Sequence, residues 1–456
     1  MNTVRTVRRG TRPKLMMASG VALGAAVTLV LAGCSSGEDV GPKTADCPDG
    51  VITLSVLRAE NNVPNDAELN DYSNSVKGCV KFKTQDVPFS QLADKISVLA
   101  PTGNAPDIVG YDSPNTTDYA SKGILLPLDK YLPAGWKEDV LPATLKEQSY
   151  QGKVYSMGVQ QDVLTIYYNK DLTDAAGITV PTTIDKAWTW AQARDAMAKC
   201  QKGTPGTPDI YGLAPTQLGD GTPGTVYGDL VMMRSAGDPK APQDSSAYKT
   251  FYALSPDGKS ADGWLNTPEA VDAAKFYQSL FNGPTAVSSK TGRPNAFIDG
   301  KACFDIYVGE QALNLKKANV PFKWGNAPMP YIKTPIVQTG ALTVGVMAKS
   351  KHADAAAKAV AAMSTAPAVT KYNQDAIRMP TLQSVYNSLP MFHEPPFDME
   401  YNELLQWGQP RPVTSSFSQY NDIVAKALKD IAYGSDPQQR LNQAVSQLQP
   451  ILSSGR

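Results

Sequence analysis

Short apolar runs alternate with helical segments between residues 51 and 109, and this alternation constrains the fold more than any other feature of the chain. The three predicted strands are Val51–Leu57, Lys81–Val87 and a run ending at Val109. Helices are predicted for 63–77 and for 91–99, with Ser90 as the N-cap of the second. Strands separated by helices predict an α/β fold with mostly parallel sheets flanked by helices, in which ligands bind at the carboxyl ends of the strands.

The N-terminal 33 residues have the pattern of a secretion signal. Five bases and no acid precede the charge-free run Leu15–Leu31. Ala32 and Gly33, directly before Cys34, resemble the cleavage and lipidation sequence of bacterial lipoproteins. That resemblance implies removal of residues 1–33 and acylation of Cys34, which would hold the protein on the outer face of the cytoplasmic membrane. The alternative is an uncleaved transmembrane helix, which needs about 20 apolar residues.

The charge of the predicted mature protein bears on its partners, and its length bears on the number of its lobes. Removal of five bases from the 43 in the chain leaves 38, against 43 acids. A mildly acidic surface argues against nucleic acid as a partner. Residues 34–50 are polar and rich in Gly, Asp and Ser, as expected of a lipidated tether. The remaining chain exceeds what one hydrophobic core usually supports, so two lobes are expected.

The mature chain retains an even number of cysteines in an oxidising compartment, which predicts two disulfides. They are Cys47, Cys79, Cys200 and Cys303, for which three pairings are possible. We favour Cys47 with Cys79 because each directly precedes a predicted strand, and adjacent parallel strands begin close together. Cys200 would then pair with Cys303. Four reduced, buried cysteines are the alternative, and no close cysteine or histidine cluster suggests a metal site.

Several segments match, in order, the pattern of one protein family. Gly103–Val109 is similar to G-x-A-P-D-[VI]-[VI], and Gly123–Asp129 to the loop that follows it. Gly152–Met157, Leu164–Leu172 and Ala176–Pro181 are similar to G-K-x-Y-x-[LIM]-P, Y-Y-N-K-D-L and A-G-I-x-x-P. Together they resemble the sugar-type extracellular solute-binding proteins of ABC importers, the group that includes maltose-binding protein.

The resemblance continues to the C-terminus, with two departures. Gly158 stands where the family has proline, and Trp188–Trp190 comes later than the family pattern has its tryptophan. The downstream matches are Trp264–Val271 with Thr267 as N-cap and Pro268 in the first turn, Phe297–Tyr307, Ala327–Pro330, Gly340–Val346, a helix over 353–363, and closing helices over 420–428 and 437–448.

Membership in this family implies a two-lobed fold whose lobes are joined by two or three hinge crossovers. By resemblance, the first lobe comprises 44–161 plus 324–365, and the second 162–323 plus 366–456. Closure of such lobes captures a ligand. The family's function is to carry a carbohydrate to ABC permease subunits in the membrane, and we expect a monomer.

A polyhydroxylated ligand needs polar groups for its hydroxyls and aromatic faces for its C–H surfaces. The candidate ligand-binding residues lie at predicted strand ends and crossovers, and are Arg58, Glu60, Asn61, Asp112, Ser113, Gln160, Gln161, Asp162, Gln217, Asp220, Trp264, Tyr307, Glu310, Thr339, Gly340 and Arg378. Each could instead be an exposed loop residue or, for Trp264 and Tyr307, part of the core.

Other functions have weaker support in the sequence. The chain has two histidines and neither a G-x-S-x-G nor an H-E-x-x-H motif, so we predict neither catalysis nor a cofactor. Gly219–Gly224 matches G-x-G-x-x-G, which we interpret as a loop whose glycines let the backbone approach a ligand. Within the family the alternative ligands are polyols and glycerophosphodiesters, for which Arg58 or Arg378 could bind phosphate. Outside it, the alternatives are a peptide- or metal-binding lipoprotein, a surface adhesion protein and a surface hydrolase.

Overall fold

The computed structural model describes residues 40–60, 62–215 and 223–454. The predicted signal, Cys34, and the candidates Asn61, Gln217 and Asp220 lie outside these ranges. Within them, no helix is both long and apolar enough to cross a membrane.

The strands vary from two to ten residues. They are β1 (Ile52–Ala59), β2 (Val80–Val87), β3 (Ile108–Asp112), β4 (Ser149–Tyr150), β5 (Lys153–Val154), β6 (Ser156–Gly158), β7 (Gln160–Asn169), β8 (Lys202–Thr204), β9 (Thr207–Leu213), β10 (Ala302–Val308), β11 (Trp324–Ala327), β12 (Val337–Gly340), β13 (Leu342–Val346), β14 (Met379–Pro380) and β15 (Gly408–Gln409).

Helices lie between many of these strands and after the last of them. They are α1 (Asp66–Ser75), α2 (Phe89–Leu99), α3 (Asn115–Ser121), α4 (Trp136–Asp139), α5 (Pro142–Glu147), α6 (Lys170–Ala175), α7 (Trp190–Cys200), α8 (Leu230–Arg234), α9 (Ser246–Tyr252), α10 (Pro268–Ser279), α11 (Glu310–Ala318), α12 (Ala353–Met363), α13 (Ala366–Ala376), α14 (Gln383–Ser388), α15 (Phe397–Trp407), α16 (Phe417–Ala432) and α17 (Pro437–Ser454), with 3-10 turns at Asp129–Tyr131, Ile184–Lys186 and Pro390–His393.

The first sheet has the strand order β2-β1-β3-β13-β6. Strand β1 runs parallel to both β2 and β3, as the alternation of strands and helices predicts. Ile52 pairs with Val80, so β1 and β2 begin side by side. Cys47 and Cys79, which precede these two strands, form a disulfide. The pairing favoured from the sequence is therefore the one in the structure.

The second sheet is built around β7, in the order β15-β12-β7-β10-β9-β8. Strand β7 is antiparallel to β10, β11, β12 and β14. The second disulfide joins Cys200, at the end of α7, to Cys303 in β10, and both side chains are buried. Both sheets thus contain parallel and antiparallel strand pairs rather than mostly parallel ones. The reason is that the strands that follow the two crossovers, β7 and β13, run antiparallel to their neighbours.

The chain passes between the two sheets through very short connections. It leaves the first sheet at Gly158 and enters β7 at Gln160, and it returns between Gly340 in β12 and Leu342 in β13. Apolar side chains from both sheets form one large core cluster. These crossovers bring strand ends of both sheets to the same place, where the site described below lies.

Most predicted helices have the expected positions, with one correction at a helix start. Thr267 caps α10 by accepting a hydrogen bond from the N–H of Ala270, as predicted. Ser90, in contrast, is not an N-cap. Helix α2 begins at Phe89, because Pro88 already adopts the non-helical backbone geometry of the residue before a helix.

Candidate functional site

A cavity of about 760 Å³ lies where the crossovers meet, within the size range of ligand pockets. Its walls come from the end of β3 and the start of α3, from β7 and β10, from the Gly340–Leu342 crossover, and from residues 411–425. The polar and aromatic side chains that line it are Asn62, Phe89, Ser90, Asp94, Tyr111, Asp112, Asn115, Tyr119, Asp162, Thr225, Tyr227, Tyr307, Glu310, Arg411, Phe417, Ser418, Asn421 and Asp422.

An ion pair between Asp112 and Arg411 joins the two sides of the cavity. Asp112 is the last residue of β3 in the first sheet, and Arg411 follows β15 of the second. The Nη1 and Nη2 atoms of Arg411 donate to the two carboxylate oxygens over 2.7 and 2.5 Å. Burial alone would lower the pKa of Arg411, but Asp112 raises it. Such a bidentate pair fixes the guanidinium in one orientation.

Tyr227 packs beneath this pair. The guanidinium of Arg411 lies 4.9 Å from the centre of the Tyr227 ring, a cation–π geometry. A Cβ atom at Gly340 would stand 3.1 Å from the same ring, so a glycine there lets the crossover pass closely. The Tyr227 Oη and Arg411 Nε atoms are buried without a hydrogen-bond partner in the structure. The cavity floor therefore has polar capacity that the protein itself does not use.

The predicted residues Ser113 and Thr339 lie behind the cavity rather than in its wall. Ser113 donates to Oε2 of Glu147 over 2.7 Å, and Thr339 donates to Oε1 over 2.6 Å. Burial raises the pKa of Glu147 to about 7, with Arg411 opposing the rise. Because Ser113 follows β3 and Thr339 belongs to β12, this buried carboxyl ties the two sheets together.

A second charged group at the cavity is centred on Arg378. Arg378 bonds Glu310 over 3.0 Å and Asp162 over 3.5 Å, and both of these acids line the cavity. Burial raises the pKa of Asp162, and Arg378 opposes that shift. The two carboxylates hold the pKa of Arg378 above its ordinary value, against the effect of burial. The carboxylates of Asp162 and Glu310 thus line the cavity, and the Arg378 guanidinium that they bind does not.

The other two residues of the predicted crossover group support this arrangement from within the protein. Gln160 donates to Asp162 over 3.0 Å and accepts a hydrogen bond from the Tyr372 hydroxyl. Gln161 is buried, and its side-chain amide lacks a partner in the structure. Neither residue lines the cavity, so Asp162 is the member of the group that a ligand would meet.

Arg58 is not at the cavity. Its side chain is buried and bonds Asp86 over 2.8 Å, Asp66 over 2.6 Å and the carbonyl of Pro64. Arg58 and Asp86 are directly paired positions of the parallel strands β1 and β2, which brings their side chains together. Its neighbour Glu60 is exposed and also lies outside the wall.

Trp264 likewise lies outside the cavity. It is half-buried in the turn before α10 and packs edge-on against Tyr248, with ring centres 6.4 Å apart. Its ring contact is thus with Tyr248 rather than with a residue of the cavity wall.

Of the candidates in the described ranges, the structure brings five to the cavity wall, which are Asp112, Asp162, Tyr307, Glu310 and Gly340. The wall also contains residues that no sequence pattern marks as ligand-binding, namely Arg411, Tyr227, Phe417, Ser418 and the exposed aromatic Phe89. Arg411 stands between Pro410 and Pro412, which marks a fixed backbone, but nothing local indicates its partner. Among the residues that the structure describes, no group of three or more His, Cys, Asp or Glu could hold a metal ion.

Comparison with known proteins identifies the family of this chain. Residues 76–370 match the family model for bacterial extracellular solute-binding proteins. A putative binding protein of Brucella abortus is 26% identical over 250 residues, which cover 54% of each chain. The chain therefore spans about half the length of the curated relatives it matches.

Solved structures share the fold over nearly the whole chain. A solute-binding protein from Thermotoga lettingae, bound with α-D-tagatose, superposes with a TM-score of 0.72 at 19% identity, covering 88% of this chain and 99% of the other. The maltotriose-binding protein of Thermus thermophilus, bound with maltotriose, gives a TM-score of 0.66 at 17% identity, covering 88% and 100%. The fold is thus the two-lobed fold of binding proteins, and this chain belongs to the bacterial extracellular solute-binding protein family.

Proposed function

We propose that this protein is the substrate-binding lipoprotein of an ABC importer, which captures a carbohydrate between two lobes and delivers it to a membrane permease. The observation that carries this proposal is the cavity at the crossovers, whose wall combines carboxylates, an arginine and aromatic rings contributed by both sheets. A sugar presents hydroxyls that donate and accept hydrogen bonds, together with C–H faces that pack on rings. This wall offers both kinds of contact.

The wall offers a sugar two kinds of contact, hydrogen-bonding groups and aromatic rings. Asp112, Asp162 and Glu310 can accept hydrogen bonds from sugar hydroxyls, and Tyr227 Oη can donate one. Tyr307 is half-buried in the wall, and Phe89 stands 54% exposed at the rim. We propose these two rings as the aromatic surfaces for the sugar. Only contacts that are stronger in the closed form than in the open form would drive closure.

We retain the predicted lobes with one adjustment. The pairing of Trp324–Ala327 with β7 supports moving that strand from the first lobe to the second, so we propose that the return crossover lies near residue 340 rather than residue 324. Small-angle scattering at saturating sugar would show a smaller radius of gyration than the free protein if the structure closes on its ligand.

The lipid anchor at Cys34 remains a proposal that rests on the N-terminal sequence. Membership in an extracellular family agrees with a location outside the cell. Cys34→Ala should abolish incorporation of a labelled fatty acid. Equal labelling of the wild type and the variant would refute the anchor.

The glycerophosphodiester alternative loses its support. Arg58 and Arg378, the two residues suggested for phosphate, are each engaged by two carboxylates. A polyol would use the same hydroxyl contacts as a sugar, so it remains the alternative ligand class.

A thermal-shift screen of sugars, polyols, phosphodiesters and peptides tests the function. A ligand that binds the native state alone adds about 2.7 kcal/mol of stability at a concentration 100 times its Kd. We expect a sugar or oligosaccharide to raise the Tm. Stabilisation by a peptide, with none by any carbohydrate, would contradict the proposal.

A further inference from the structure

Carboxylates outnumber cations around the cavity. Five acids line it within the described residues, namely Asp94, Asp112, Asp162, Glu310 and Asp422. Among the described residues of the wall, the cation is Arg411, and Arg378 pairs with two of the acids from outside the wall. A ligand that enters the cavity therefore meets an excess of negative charge.

Both arginines are already paired with carboxylates. Both Nη atoms of Arg411 are bonded to Asp112, and its Nε atom, which has no partner among the described residues, is buried. Arg378 is bonded to Asp162 and Glu310, and these two carboxylates, rather than the guanidinium, form the wall. A carboxylate or phosphate on a ligand would have to displace one of them to reach Arg378. Until then it would face the two like charges of Asp162 and Glu310.

From this arrangement we infer that the cleft discriminates against anionic glycans, and that Asp162 and Glu310 determine this specificity by occupying Arg378. The inference rests on the proposed function and narrows its ligand to glycans without acidic groups. Neutral hydroxyls can donate to the same carboxylates, so the wall that repels an anion binds an uncharged sugar. Specificity of this kind comes from a repulsive element built against the wrong ligand.

Titration calorimetry on matched trisaccharides tests the inference. The probes are neutral trisaccharides of glucose, mannose and galactose, and trisaccharides of the corresponding uronic acids. We expect the best neutral probe to bind at least about tenfold more tightly than its uronate counterpart. A uronate that binds as tightly as its neutral counterpart, or more tightly, would overturn the inference while leaving carbohydrate binding intact. No binding by either series would refute the proposed function itself, and the inference with it.

Two variants test the role assigned to the carboxylates. Glu310→Gln frees one side of Arg378, and its side chain is 39% exposed, so the fold tolerates the change. We expect the ratio of neutral to uronate affinity to fall about fivefold in this variant, and further when Asp162→Asn is added. Asp272→Asn, on the exposed face of α10, removes the same charge away from the cavity and should leave the ratio unchanged. An unchanged ratio in Glu310→Gln and in the double variant would show that these carboxylates do not set the specificity.

Discussion

Two buried clusters, the Arg58 centre and the Arg411 centre, each combine an arginine with carboxylates, but they have different roles in the molecule. Arg58 bonds Asp66 and Asp86 and has the buried Glu68 nearby, whereas Arg411 bonds Asp112 and has the buried Glu147 nearby. The partners of Arg58 lie in strand β2, in helix α1 and in the turn directly before that helix. Those of Arg411 lie across the sheet boundary and beside the cavity.

Topology, rather than residue type, therefore separates a structural arginine from one at the candidate site. Asp66 and Asp86 have side chains that are 76% and 42% exposed, so the Arg58 centre opens onto the outer surface. Asp112 is 22% exposed and faces the cavity. The same kind of ion pair links strand β1 to helix α1 at Arg58, and it links the two sides of the cavity at Arg411.

The largest expected effect is a pH dependence that the two centres share. Burial raises the pKa of both Glu68 and Glu147 to about 7 from 4.5. Between those values the native state holds a proton that the unfolded state releases, so the stability that each group contributes at low pH is lost as pH rises from about 4.5 to about 7. A shift of this size corresponds to about 3 kcal/mol for each group.

Replacing either glutamate with glutamine should remove its share of this dependence. We expect Glu68→Gln and Glu147→Gln each to gain stability relative to the wild type as pH rises through that window. Urea unfolding at pH 5 and pH 8 measures the difference. Parallel curves for the wild type and a variant would show that the replaced glutamate does not titrate in the window.

The next effect separates the two centres. Arg411→Met removes the cation that orients Asp112 in the cavity wall, and we expect sugar affinity to fall by about 2 kcal/mol, or about 30-fold. Titration calorimetry with the sugar found in the screen measures the loss. Wild-type affinity in this variant would show that the pair does not form part of the site.

The smallest effect is expected at Arg58. Arg58→Met keeps much of the buried aliphatic volume, and the exposed Asp66 and Asp86 remain hydrated when the cation is lost. We expect a loss of about 1 to 2 kcal/mol in the free energy of unfolding, with sugar affinity unchanged. A fall in affinity as large as that of Arg411→Met would erase the distinction between the two centres.

Local patterns in the sequence predicted the features that depend on neighbouring residues. The α/β alternation, the Thr267 cap and the Cys47–Cys79 pairing all follow from adjacent segments. Asp112 is a candidate because it follows a strand, where ligands of such sheets bind, and Asp162 because it lies at the first crossover that the family resemblance implies.

Features that depend on pairing between distant segments could not be predicted from the sequence. Arg58 also follows this strand-end pattern, but the register of β1 on β2 turns it towards Asp86. Arg411 follows the two-residue strand β15, and its partner is 299 positions away in the chain. Trp264 has the signature of an aromatic platform in a loop, and its packing against Tyr248 depends on the tertiary fold.

Hydrogen–deuterium exchange with and without a saturating sugar tests the location of the site most directly. We expect slower exchange in the segments that line the cavity, around residues 110–115, 339–342 and 411–418, and no change in helix α1, residues 66–75, which holds Asp66 and Glu68 of the Arg58 centre and does not line the cavity. Protection of residues 66–75 at saturation, with none in the cavity segments, would contradict this location of the site.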